Sequence, residues 1–397
     1  MSHPMRMVAA FLALVCAGAV AGQTDNPPAR NDTPTSDGRA GAGKGIFVTG
    51  PRAMTIFPDS ARNNPYVAGF QLNLGWAELE PEKGKYDWSR IDQLISDCRK
   101  RNKKAAFKFG TVGGKVMSDG QLSYHKKQAD ENDTNENTVT PAWLFKDPAV
   151  KRLGGFKTPK GMVPLYPVFW DPAYQKHLEE FIAAMAQRYD GCPELEYIRM
   201  GGWQVGTNEP SFYGGATGFL AAQLAEQGMA LSAADKKKDT IRGLAGDSPY
   251  SKAVIAMIDL WLKHFKKTRL ASTIHFSKEA GSFEEAMMSH CFKNRIAIMN
   301  TGLNEGDHAE PRKEYREAHD KYGCKVAWGG ITHLGSKRAA SELPAGHTVR
   351  MEAVMQGIGD DANPAYAPAS RVSYLVTGFD FAEEAATAKW ACEHLSQ

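Results

Sequence analysis

Short apolar runs alternate along the chain with longer stretches whose apolar residues recur at helical spacing. Gly45–Thr49, Val67–Leu74, Ala105–Phe109, Tyr197–Trp203, Ala271–Phe276, Arg295–Thr301, Lys325–Ile331 and Val372–Phe379 read as buried strands. Ser89–Arg101, Pro172–Tyr189, Ser251–Lys267, Phe283–Phe292, Ala309–Tyr322 and Glu383–Leu395 carry the helical pattern. Strands separated by helices favour parallel β/α units, and eight such units predict an α/β fold, a (β/α)8 TIM barrel. A doubly wound open sheet is the alternative, but no G-x-G-x-x-G follows an early strand, so a dinucleotide fold has no support. Two polar insertions, Ser118–Thr140 and Thr207–Asp247, interrupt the alternation, the second with a Gly-rich turn and an extra predicted helix. In a barrel, loops of this kind after strands build the active-site face.

The first 44 residues stand apart from this pattern. After Arg6 an apolar run reaches Ala19-Val20-Ala21, so residues 1–21 read as a secretory signal peptide. Leu14 and Val15 sit where a lipoprotein site at Cys16 would require small residues. Residues 22–44 hold almost nothing apolar and predict a flexible leader. The expected domain is then a barrel over 45–397, secreted or periplasmic, with no membrane span because no run approaches about 20 apolar residues.

Composition narrows the partners. A net charge of +3 over 397 residues, with 23% charged and 42% hydrophobic, is ordinarily globular and gives no basic excess for nucleic acid. Beyond Cys16, the cysteines Cys98, Cys192, Cys291, Cys324 and Cys392 are odd in number and widely spaced. That is neither a disulfide framework nor a zinc site, and leaves room for one or two bridges at most. No histidine spacing suits a metal, and no cofactor is implied.

The most distinctive segment runs from Ala68 to Trp88. A strand ends near Trp76, Glu78-Leu79-Glu80-Pro81-Glu82-Lys83-Gly84 makes a turn, and Tyr86-Asp87-Trp88 leads into a helix. Further on come Pro141-Ala-Trp-Leu144, Trp170-Asp171-Pro172 and the stretch Trp203-Gln-Val-Gly-Thr-Asn-Glu-Pro-Ser-Phe-Tyr213. Together they resemble the clan A glycoside hydrolases, especially the β-galactosidase-like (β/α)8 barrel branch, whose second unit reads roughly W-x-x-[LI]-E-P-x-x-G-x-Y-D-[FW]. The resemblance runs clearly from about Phe47 to Tyr213 and only loosely beyond. It implies that Glu209, after the fourth strand, is the general acid/base and that Asn208 holds the sugar 2-hydroxyl.

The residues themselves suit that role. Glycoside hydrolysis needs an acid that protonates the leaving oxygen and a carboxylate on the far side of the anomeric carbon. The acid stays protonated in a partly desolvated site, which Trp203, Phe212 and Tyr213 could supply. The bland reading of Asn208-Glu209-Pro210 is a plain turn. In the clan the nucleophile is a Glu ending strand seven, yet Lys325–Ile331 is followed by Thr-His-Leu-Gly with no acid. One candidate is Glu352, on a strand leading to Met351, which would make Lys325–Ile331 an extra strand. Equally, Thr348–Gly357 can be a short helix with Glu352 on its surface. Glu305 is a third choice, favoured if the strands are miscounted.

Several other residues are expected near a sugar. Gln71 and Asn73 form the polar face of a strand end and either line a subsite or satisfy hydrogen bonds inside the barrel. Trp76 is a sugar platform or core, and His275, with Ser277, reaches a hydroxyl or is structural. Trp328 and Asp380 are weaker candidates, and Asn31 and Asn132 begin sequons. The expected protein is a β-glycosidase acting on an oligo- or polysaccharide with retention, Glu209 and Glu352 being its pair. Two alternatives stand beside it: a carbohydrate-binding barrel without a nucleophile, and a barrel used for protein contacts.

Overall fold

Eight parallel strands close a barrel in the computed structural model of the protein. The structure describes residues 44–50, 54, 56–110, 139–153, 156–158, 161–163, 166–202, 229–235, 244–273, 281–300, 309–328, 373–377 and 385–395, with isolated positions between 345 and 358. All lie in one compact unit, Thr35–Gln397. The barrel strands are β1 (Gly45–Thr49), β2 (Val67–Gly75), β3 (Lys104–Gly110), β4 (Leu195–Arg199), β5 (Arg269–Thr273), β6 (Ala297–Asn300), β7 (Val326–Trp328) and β8 (Tyr374–Thr377). Each pairs with its sequence neighbour and β8 returns to β1, so the (β/α)8 expectation holds.

The outer helices follow their sequence patterns closely. They are α1 (Ser89–Arg101), α2 (Pro172–Tyr189), α3 (Pro249–His264), α4 (Phe283–Lys293), α5 (Ala309–Tyr322) and α6 (Ala385–His394). The Trp170-Asp171-Pro172 stretch proves to be a helix start. Asp171 caps α2 by accepting from the backbone N–H groups of Ala173 (3.0 Å) and Tyr174 (3.3 Å), while Pro172 presets the first helical φ. The main core lies between strands and helices, where outward residues such as Val48, Phe70, Leu72, Phe107 and Ile198 pack.

Inside the barrel the filling is uneven. Ala106, Ala271, Ala297 and Ala327 supply small side chains, and the rings of Phe47, Tyr197 and Tyr374 occupy the space they leave. Their ring centroids lie 5.2–5.8 Å apart. At Gly69 a Cβ would lie 2.2 Å from the Lys104 carbonyl and 2.5 Å from the Phe47 ring, so only glycine lets β2 pass there. Below the rings Glu196 accepts hydrogen bonds from Arg269 (2.8 Å) and from the Tyr374 hydroxyl, joining β4, β5 and β8 with buried groups.

Several expectations need correction. The fourth strand, expected over Tyr197–Trp203, ends at Arg199 because side chains take over its next carbonyls: Trp261 donates to Gly201 (2.8 Å) and Tyr174 to Gly202 (3.1 Å). Strand five begins at Arg269 rather than Ala271, since its buried charge is matched by Glu196. Val326–Trp328 is no extra strand: it pairs with both β6 and β8. Met351, on the strand proposed to carry Glu352, is helical, as are Val354, Met355 and Ile358, the last three buried. A possible disulfide also falls away, because Cys98, Cys192, Cys291, Cys324 and Cys392 all carry free thiols.

Candidate active site

The C-terminal ends of the strands form the face where barrel enzymes place their chemistry. Side chains alternate across a strand, so Gln71 and Asn73 on β2, Lys108 on β3 and Arg199 on β4 share the inner face with Ala106 and Tyr197. Gln71 is buried in the lower row: its Oε1 accepts from the Tyr197 hydroxyl (3.1 Å) and its Nε2 donates to Thr49 Oγ1 (3.4 Å). Of the two roles open to Gln71, this geometry is the barrel-layer one. Burial pushes the Tyr197 hydroxyl well above the usual phenol range and keeps it a donor.

Asn73 stands one step higher and is only partly covered. Its Nδ2 donates to the Gly50 carbonyl (2.6 Å), while its Oδ1 is buried with no hydrogen-bond partner. In the same row Asn73 lies beside Lys108, and Lys108 beside Arg199. Arg199 is buried and donates through Nε to Thr273 Oγ1 (2.6 Å) on β5. The sequence reading missed Lys108 and Arg199. The alternation in Lys104-Ala-Ala-Phe-Lys-Phe-Gly110 held the signal for Lys108, an inward position wherever Phe107 and Phe109 face out.

Trp76 is not a sugar platform. The indole is fully buried, donates from Nε1 to Glu80 Oε2 (2.7 Å), and packs on Trp143, Tyr174 and Phe181 at 5.4–5.9 Å. The carboxylate of buried Glu80 also accepts from the Gly84 N–H (2.7 Å), at a turn where Gly84 has φ +75°. Trp143, from the Pro141–Leu144 stretch, donates to the Glu80 carbonyl (3.0 Å). Two sequence motifs therefore meet at one latch between barrel and helices. Burial raises the Glu80 carboxyl above the usual range despite the donors from Gly84 and Trp76.

The same latch reaches the exit of β4. Tyr174, packed edge-on to Trp76, and Trp261 of α3 hold the Gly202 and Gly201 carbonyls, and the Met200 N–H donates to the Ala271 carbonyl (2.9 Å). The last described residues after β4 are thus held by two buried aromatic donors. Trp203, Asn208, Glu209, Tyr213, His275, Glu305, Glu352 and Asp380 lie outside the described residues, as does the side chain of Trp328. Among the described residues no group of three His, Cys, Asp or Glu could hold a metal ion.

Residues 70–212 match the model of glycoside hydrolase family 42, described as Beta-galactosidase. The barrel is of the glycosidase type. The matched segment of this glycosidase barrel contains the latch, the exit of β4 and Asn208-Glu209. No curated protein matches the chain in sequence. Similar solved structures include the catalytic domain of a β-amylase from Paenibacillus polymyxa, 12% identical over 85% of this chain and 92% of that one, TM-score 0.47. Others are xylanase 10B from Thermotoga maritima (8% identity, 85% and 83% covered, TM-score 0.44) and a β-galactosidase from Marinomonas ef1 (13%, 88% and 59%, TM-score 0.45). Identities this low bear on no chemistry.

Proposed function

We propose that the protein hydrolyses β-glycosidic bonds with retention of configuration, Glu209 acting as general acid/base. One observation carries this reading: the family match extends from residue 70 in β2 past the latched exit of β4 to residue 212, and so its range includes Asn208 and Glu209. Glu209 would protonate the leaving oxygen and then activate water, while Asn208 holds the 2-hydroxyl. The partner carboxylate, which retention requires about 5–5.5 Å from Glu209, is open between Glu352, next to helical Met351, and Glu305. The family description makes a terminal β-galactoside the first substrate to try. The apolar N-terminus ending at Ala21 supports export from the cytoplasm.

A second reading has one observation in its favour. β7 is Val326–Trp328, and the sequence from Gly329 to Ser341 contains no acid, so a barrel that binds sugar without cleaving it is the alternative. Aryl β-galactosides, glucosides, mannosides and fucosides, offered to the full chain with and without azide, separate the two. Retention predicts that Glu352→Gln loses turnover and regains it with azide, giving the inverted glycosyl azide. Normal turnover in Glu352→Gln would remove that residue and turn attention to Glu305→Gln. Sugar binding without turnover of any substrate would favour the binding barrel.

A further inference from the structure

A chain of hydrogen bonds climbs the inner face of the barrel and ends on an acceptor. The Tyr197 hydroxyl donates to Gln71 Oε1 (3.1 Å), and Gln71 Nε2 donates to Thr49 Oγ1 (3.4 Å). The Thr49 hydroxyl gives its one hydrogen to the Gln71 carbonyl (3.2 Å). Asn73 Nδ2 donates to the Gly50 carbonyl (2.6 Å) and to Thr49 Oγ1 (3.3 Å), which uses both of its hydrogens. These directions fix the amide. Turned over, Asn73 would set Oδ1 against the Gly50 carbonyl at 2.6 Å, acceptor against acceptor. Oδ1 therefore faces the other way, where it is buried and accepts from no described residue. Lys108, its register neighbour on β3, is held by contacts of its own.

A buried acceptor without a donor is destabilising, and a ligand donor that reaches it is favoured for the same reason. Asn73 lies near the C-terminal end of β2, one inward step above Gln71, on the face where barrel enzymes bind their substrates. The family match begins at residue 70 and takes Asn73 in. Strand spacing says which donor reaches it. Under the glycosidase reading, hydrolysis at C1 and the grip on the 2-hydroxyl lie after β4. β2 is two strands away, about 10 Å at about 4.8 Å per strand. A pyranose laid across that wall brings its far edge, the C3, C4 or C6 hydroxyl, to Asn73.

We propose that Asn73 is a specificity-determining residue whose Oδ1 accepts a hydrogen bond from a hydroxyl on the far edge of the glycone, at C3, C4 or C6. The site then selects sugars that carry a donor at that position. The inference rests on the glycosidase reading above and names the part of the substrate that β2 reads.

The test starts with the wild-type full chain, because the ligand itself tells an acceptor from a donor. Methyl β-D-galactoside and methyl β-D-glucoside are titrated by calorimetry beside their 2-, 3-, 4- and 6-deoxy and deoxyfluoro derivatives. Fluorine cannot donate, so at one far-edge position both the deoxy and the deoxyfluoro sugar should bind at least about tenfold more weakly than the parent. Asn73→Ala should weaken the parent by a similar factor and bind the affected deoxy sugar as wild type does. Asn73→Val, better suited to a strand, repeats the comparison if the alanine variant does not fold. Three wild-type results would overturn the inference: no loss at any far-edge position, binding recovered by the deoxyfluoro sugar, or no binding of either parent. So would a variant that weakens parent and deoxy sugars alike, as a merely structural amide predicts. Hydrolysis of the parent 4-nitrophenyl glycosides separates the two readings. Turnover without the deoxy signature leaves the glycosidase and removes the role of Asn73, while the signature without turnover does the reverse.

Discussion

Trp76 joins the sequence motif to the barrel by its shape and by its one polar atom. The ring fills the space between β2 and α2, and its Nε1 satisfies a buried carboxylate. Trp76→Ala should cost about 3–5 kcal/mol in urea unfolding, the usual range for emptying a buried aromatic site. Trp76→Phe keeps most of the volume and should leave KM unchanged, which a sugar platform would not allow. Asp97 offers a pH test at the same scale. Its hydrogen bonds from Arg62 (2.8 and 3.2 Å), with a further one from Arg101, hold its carboxyl below the usual range. A folded pKa below the unfolded value gives stability that is present above the ordinary carboxylate range and lost as pH falls through the folded pKa. Asp97→Asn should therefore lie about 0.5–1 kcal/mol below wild type at neutral pH, a gap that closes as urea midpoints are followed into acid.

At the scale of elements, the exit of β4 is where structure and chemistry meet. Tyr174 and Trp261 come from α2 and α3, far apart in sequence, and grip consecutive carbonyls just before the stretch that leads to Glu209. Tyr174→Phe removes one hydrogen bond, worth about 1 kcal/mol of stability. If that grip aims the catalytic loop, kcat should fall by more than this loss of stability explains while KM changes little. Stopped assays at a temperature where the variant is fully folded check this. Strand ends were legible in the sequence only where hydrophobic pattern decides them. β3 and α1 begin and end close to where the apolar period does. β4 stops early because aromatic donors from distant helices compete for its carbonyls, and β5 starts early because Glu196 neutralises Arg269. Neither cause is local, so neither shows in a pattern of apolar and polar residues.

Across the whole molecule the alternation of strands and helices was sufficient to give the barrel, since eight buried strands of this kind have few other ways to be covered. The site was only partly legible. Asn208-Glu209 lies outside the described residues, and of the two roles open to Trp76 the core one holds, a choice the sequence leaves open because it cannot say which side of a strand end a ring packs on. Lys108 was legible in the alternation of β3, whereas Arg199 was hidden because β4 ends there and its inward position shows only in the register with β3. The resulting picture is a floor of rings and alanines, a polar row above it, and a strand end at Gly201 and Gly202 held by two aromatic donors.

General acid catalysis by Glu209 is tested most directly by comparing wild type and Glu209→Gln on aryl β-glycosides of graded leaving-group acidity. The prediction is a loss in kcat/KM of about 10²–10⁴-fold on a phenyl glycoside, shrinking steeply on a 2,4-dinitrophenyl glycoside whose leaving oxygen needs no proton. A variant that hydrolyses both as wild type does, or loses the same factor on both, would contradict Glu209 as the acid.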